Sequence, residues 1–170
     1  MPLLLRRLTF GDVGGYARRH NTFALLSDVA NDSTQRQNLV PFTRFATDLA
    51  NGTLPDYSNL VPNLCNDGHD CPLATADSWL RTHIAPLLAS ATFQQDGLLV
   101  ITFDESDSDN AHGGGRIAWV VVSPKTKRGY QSTTFYQHQS TLRLTLEALG
   151  ITQFPGAAAV APAMSEFFAP

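Results

Sequence analysis

With 170 residues, 43 % of them hydrophobic, the chain can bury one compact core and is too short to favour two independent domains. Only 16 % of residues are charged and the net charge is -3, so no broad basic surface is available to neutralise a nucleic-acid backbone. The longest apolar runs, 98–103 and 117–122, fall far short of the roughly 20 residues that span a bilayer, which predicts a soluble chain without a membrane span.

At the N-terminus Leu3, Leu4 and Leu5 precede Arg6 and Arg7. That order is the reverse of a signal peptide and the apolar stretch is too short, so no targeting segment is legible. Gly11, Gly14 and Gly15 interrupt the next stretch, and residues 24–36 alternate short apolar and polar runs, which predicts an irregular segment. Over 41–49 the positions Phe42, Phe45, Ala46 and Leu49 fall at helical spacing, with Pro41 suited to the first turn and Gly52 to the stop. Residues 57–62 predict a strand leading into a loop bracketed by Cys65 and Cys71. Their spacing suits a disulfide in an oxidising compartment, and two free thiols in a reducing one. Structural zinc would need further thiolates or regularly spaced histidines, which are missing.

Asp77 offers an N-cap for a helix carrying Trp79, Leu80, Ile84, Leu87 and Leu88, ended or kinked by Pro86. The continuous apolar runs 98–103 and 117–122 predict central strands, covered on both faces. Leu142, Leu146 and Leu149 share one helical face over 140–149, with Gly150 as the stop, and residues 157–168 suggest a last helix. Strands interspersed with helices make this an α/β chain.

Asp104 and Glu105 follow the first apolar strand directly, and open α/β sheets place ligands outside the carboxyl ends of their strands. Adjacent carboxylates there repel unless a cation or strong donors compensate, and oxygen ligands suit a hard divalent ion; a solvated turn is the plainer alternative. A calcium loop of the EF-hand type starting at Asp107 fails, because its twelfth position is Ala118. Gly113, Gly114 and Gly115 precede a strand rather than a helix, which suits a tight turn and not a phosphate-cradling loop. His69 lies between the cysteines with Asp67 and Asp70 beside it, where a carboxylate could fix its tautomer. His20 follows Arg18 and Arg19, a cluster suited to an anion. His138 reads as a structural or supporting residue, and His83 and His112 carry no functional reading. A serine hydrolase is disfavoured, since Gly-x-Ser-x-Gly is absent.

Five motifs occur in order: Tyr16-Ala17-Arg18-Arg19-His20-Asn21-Thr22-Phe23, Val61-Pro62-Asn63-Leu64-Cys65-Asn66-Asp67-Gly68-His69-Asp70-Cys71, Thr102-Phe103-Asp104-Glu105, Gly113-Gly114-Gly115-Arg116, and Tyr136-Gln137-His138-Gln139-Ser140-Thr141-Leu142-Arg143. Together they resemble the phosphoesterase family that includes bacterial acid phosphatases and phospholipase C enzymes. The resemblance implies a three-layer α/β/α sandwich of alkaline-phosphatase type and metal-assisted hydrolysis of a phosphomonoester or phospholipid through a hydroxyl nucleophile. It implies that Asp104 and Glu105 ligate a divalent metal ion, and that His69 and His20 contact the phosphate or assist the leaving group. It also implies export.

The resemblance covers the C-terminal half of that family, with residues 1–170 as the C-terminal part of its domain. The Glu-Asn ligand motif and the Ser or Thr nucleophile of the N-terminal half are not found before Tyr16, and Thr22 stands where a Pro is expected. The expected sandwich is therefore incomplete, and the chain is expected to be inactive without a complementing N-terminal half. A non-catalytic fragment acting as a binding or structural module is the alternative.

Overall fold

A computed structural model describes residues 15–169. The reading of Met1 to Leu8 as lacking a targeting segment, and the placement of Gly11 and Gly14, lie outside the described residues. The chain divides into two compact units, Met1–Leu88 and Ala89–Pro170, and each is described by itself.

In the first unit, two 3-10 turns, Arg18–His20 and Thr22–Leu25, lead into the short helices α1 (Ser27–Asn31) and α2 (Ser33–Arg36). The expectation of an irregular segment is corrected here. Asp32 caps α2 by accepting from the backbone N–H groups of Thr34 and Gln35, a local interaction that apolar periodicity does not report. Helix α3 (Thr43–Asn51) follows, with Phe45 buried. It stops at Gly52, whose left-handed backbone (φ 65°) turns the chain at little steric cost so that Thr53 N–H reaches back to the Asp48 carbonyl at 2.8 Å.

Residues 57–62 form no strand, contrary to expectation; Pro55 precedes the stretch and Pro62 ends it, and neither has an N–H to offer a ladder. Helix α4 (Leu73–His83) starts after Pro72, four residues before the expected cap. Asp77 lies inside it and pairs with Arg81 at 3.2 Å. Pro86 has no N–H for the Thr82 carbonyl, so α4 ends at His83 and the chain restarts as α5 (Ala85–Leu88). Phe42, Phe45, Trp79 and His83 pack ring on ring, with centroids 4.9–5.6 Å apart.

In the second unit, α6 (Ala91–Asp96) is capped by the Ser90 hydroxyl and buries Phe93; the sequence reading did not anticipate it. Strands β1 (Leu99–Thr102) and β2 (Trp119–Val122) pair antiparallel, with Leu99 opposite Val122 and Thr102 opposite Trp119. The central-strand expectation is corrected: among the described residues each has one neighbour, and Val120 is 49 % exposed. An apolar run reports what a strand could bury and does not supply the partners that would cover it.

Helix α7 (His138–Ala148) buries Leu144. In place of a last helix over 157–168 there are two 3-10 turns, Gly156–Ala159 and Ser165–Phe167. Pro162 lies between them and interrupts any continuous helical ladder. The last turn buries Met164 and is tied back by Lys127 N–H to the Phe167 carbonyl (2.8 Å) and Ala169 N–H to the Lys125 carbonyl (3.0 Å). The described residues thus mix helices with one small sheet, as an α/β chain does. No helix among them is long and apolar enough to cross a membrane.

Candidate functional site

The first unit brings His20 and His69 together. The loop at 63–71 is organised by its own backbone: the N–H groups of Asn66 and Asp67 both donate to the Asn63 carbonyl, and Asp70 N–H donates to the Leu64 carbonyl at 2.7 Å. Cys65 and Cys71 are disulfide-bonded with Cα atoms 4.6 Å apart, closing the loop covalently. Leu64 N–H donates to the Gly15 carbonyl at 2.9 Å, which fastens this loop to the segment leading into His20. The Arg18 guanidinium donates to the Ala24 carbonyl at 2.8 Å and steadies the turn that carries His20.

As a result the two imidazoles lie with centroids 5.3 Å apart. His20 Nδ1 meets the Asp67 carboxylate at 3.0 Å, and His69 Nδ1 meets the Asp70 carboxylate at 2.7 Å. A carboxylate can only accept, so each contact is satisfied by a proton on Nδ1 and leaves Nε2 as the nitrogen for other chemistry. The His20–Asp67 contact is the feature that sequence reasoning missed. In sequence Asp67 is a neighbour of His69, and a pairing with His20 across 47 positions leaves no local signal.

Asp104 and Glu105 lie in the second unit, just past β1. The Asp104 carbonyl accepts from His138 Nε2 at 2.7 Å, so the first residue of α7 pins the strand end beside the acidic pair. The glycine-rich segment folds back on the same place, with the Gly114 carbonyl accepting from Ser106 N–H at 2.7 Å. A Cβ on Gly115 would fall 2.1 Å from the Asp109 carbonyl oxygen, and its φ is 73°, so this close turn requires glycine. The backbone N–H groups of Ala111 and Arg116 hold the Asp109 carboxyl below its ordinary range, which makes Asp109 the organiser of the loop.

Asp104 and Glu105 have the donor chemistry of a hard cation site but supply two carboxylates where a divalent ion takes about six ligands. Among the described residues no group of three or more His, Cys, Asp and Glu side chains is placed to hold a metal ion. These two residues alone do not complete a metal site.

The model of the phosphoesterase family matches residues 7–151. The chain belongs to the phosphoesterase family. The chain is 36 % identical over 133 residues to an acid phosphatase of Aspergillus fumigatus, covering 76 % of this chain and 29 % of that protein. It is 35 % identical over 130 residues to a probable acid phosphatase of Kluyveromyces lactis, covering 75 % of this chain and 30 % of that protein. To a phosphatidylinositol-3-phosphatase of Mycobacterium tuberculosis it is 28 % identical over 160 residues, covering 94 % of this chain and 50 % of that protein. The chain therefore spans less than a third of the fungal and yeast relatives and half of the mycobacterial one. No solved structure matches it.

Proposed function

We propose that this chain is part of a hydrolase of phosphate esters, in which His20 and His69 face the phosphate and Asp104 and Glu105 give oxygen ligands to a divalent cation. The observation that carries the reading is the meeting of His20 and His69, two imidazoles from separate segments at 5.3 Å, each with Nδ1 against a carboxylate. Protonated at both nitrogens, such a ring donates through Nε2 to a phosphate oxygen or to the departing alkoxide; neutral, it accepts a proton there. Two imidazoles side by side can divide these roles between a phosphate oxygen and the leaving group.

The cation's role in the reading rests on donor type and on position after a strand end; magnesium, calcium or manganese would suit. A bound cation would act as a Lewis acid on a phosphoryl oxygen. The reading assigns the hydroxyl nucleophile, the remaining ligands and a completed three-layer sandwich to a complementing N-terminal half. The names of the relatives support either a phosphomonoester or a phosphoinositide as substrate. An oxidising compartment outside the cytoplasm fits the Cys65–Cys71 bridge.

The test is hydrolysis of p-nitrophenyl phosphate across pH by the purified chain, alone and with the N-terminal half of a relative added. Turnover that EDTA abolishes and Asp104→Ala removes supports the reading. Turnover indifferent to both, or none even with the added half, sinks it. A binding module is the second reading, favoured by the lack of a three-ligand group among the described residues. It expects saturable binding of inorganic phosphate without turnover.

A further inference from the structure

We infer that Asp67 is a positioning residue that couples the two histidines and sets His20 to the tautomer with its proton on Nδ1. The inference deepens the phosphate-ester reading and rests on it for its functional meaning. The two oxygens of Asp67 do different work. Oδ1 accepts the backbone N–H of His69 at 2.9 Å, and Oδ2 lies 3.0 Å from His20 Nδ1. One carboxylate thus holds the backbone of one histidine and the ring of the other.

The carboxylate is itself fixed. Asp67 N–H donates to the Asn63 carbonyl at 2.9 Å, within a loop closed by the Cys65–Cys71 bond. The His20 and Asp67 side chains are 21 % and 17 % exposed, so water competes weakly for their contact. Because Oδ1 is committed to a donor whose chemistry cannot change, Oδ2 is the oxygen left for His20, and an acceptor there requires Nδ1–H. In the neutral ring Nε2 then carries the lone pair. The His69–Asp70 contact obeys the same rule with side chains 51 % and 55 % exposed, where water competes freely. The pair is therefore asymmetric: the His20 tautomer is fixed, and the His69 tautomer is weakly biased.

Asp67→Asn tests this with almost no change in shape. An Asn side chain has one acceptor and one donor group, and the His69 N–H takes the oxygen. The amide NH2 then faces His20 Nδ1, which must accept, and the proton moves to Nε2. Long-range 1H–15N correlation spectra of the 170-residue chain, taken at a pH where the imidazoles are neutral, report each tautomer directly. The expected result is Nδ1–H at His20 in the wild type, Nε2–H in Asp67→Asn, and no change at His20 in Asp70→Asn. An Nε2–H ring at His20 in the wild type, or no reversal in Asp67→Asn, overturns the inference. Should Asp67→Asn fail to fold by circular dichroism, exchange in the wild type decides. A His20 Nδ1 proton exchanging more slowly than that of His69 supports the coupling, and equal rates overturn it.

In any preparation that hydrolyses p-nitrophenyl phosphate, Asp67→Asn should lower kcat by about 10²- to 10⁴-fold with KM little changed. A reversed tautomer with kcat intact overturns the functional half of the inference. Lack of turnover in the wild type even with the added N-terminal half counts against the phosphate-ester reading alone, since the spectra need no activity.

Discussion

Two carboxylates in this chain each gather several hydrogen bonds, and they do so to different ends. Glu166, in the second unit, accepts from Tyr130 Oη at 2.6 Å, Ser132 Oγ at 2.5 Å and Tyr136 Oη at 2.5 Å. Its own backbone carbonyl accepts from Lys127 Nζ at 2.9 Å. The Ser132 hydroxyl, followed by Tyr130 and Tyr136, holds its carboxyl down at about 2. Asp67, in the first unit, faces one backbone N–H and one imidazole. Two of the hydroxyls around Glu166 find their other partners in nearby backbone, Ser132 Oγ accepting from Thr134 N–H and Tyr136 Oη lying 3.2 Å from the Ala163 carbonyl, whereas the imidazole keeps a second ring nitrogen beyond its contact. A well-satisfied carboxylate therefore does not by itself mark a site.

If the segment around Glu166 is a structural clasp, the largest effects of mutation there should be on stability. Met164, 1 % exposed two residues before Glu166, is its apolar anchor. Met164→Ala should cost about 2–5 kcal/mol in guanidinium unfolding. A loss under about 1 kcal/mol would show that the clasp is not anchored by burial. The first unit relies instead on a covalent bond. Cysteines six positions apart close a loop worth about 2 kcal/mol in chain entropy, so the double change Cys65→Ser, Cys71→Ser should destabilise by about that much. It should also broaden the His69 signals while leaving the Tyr130 and Tyr136 signals unmoved; changes confined to the tyrosines would break the comparison.

Legibility in the sequence follows the range of the interaction. Helix α3 and its glycine stop, the end of α4 before Pro86, and α7 were readable because apolar spacing and backbone-restricted residues act over a few positions. The caps Asp32 and Ser90 act as locally and were overlooked, because their helices are too short to show periodicity. The apolar runs of β1 and β2 named the strands but not their neighbours. Of the candidate site, the residue types were readable and the pairings were not, since His20–Asp67 and Tyr136–Glu166 join positions far apart in sequence.

The two carboxylates also differ in what pH should do. Glu166 titrates near 2 when folded against an ordinary value of 4.5, so its contribution is present above about 4.5 and lost as pH falls through 2. Tyr136 is pushed up to about 12, first by burial and then by Glu166, from an ordinary 10.0. The stability it adds is present below 10 and lost as pH rises through 12. Unfolding free energy should decline at both ends, with Glu166→Gln flattening the acid limb and Tyr136→Phe the alkaline one. Unchanged limbs in these variants would show that the hydroxyl cluster does not hold the C-terminal turn.

The smallest effect should come from Asp70, and it separates local from global roles within the cysteine loop. Its contact with His69 joins two side chains more than half exposed, where competition from solvent leaves the contact worth about 0–1 kcal/mol. Its backbone does more, because Asp70 N–H donates to the Leu64 carbonyl whatever the side chain is. Asp70→Asn should therefore shift unfolding by less than about 1 kcal/mol. Asp70→Pro, which removes the N–H, should cost more and disturb the ring contact between His20 and His69. If instead Asp70→Asn were as damaging as Asp70→Pro, the side chain would be setting the loop. The distinction between a covered Asp67 that positions and an exposed Asp70 that only tunes would then fall.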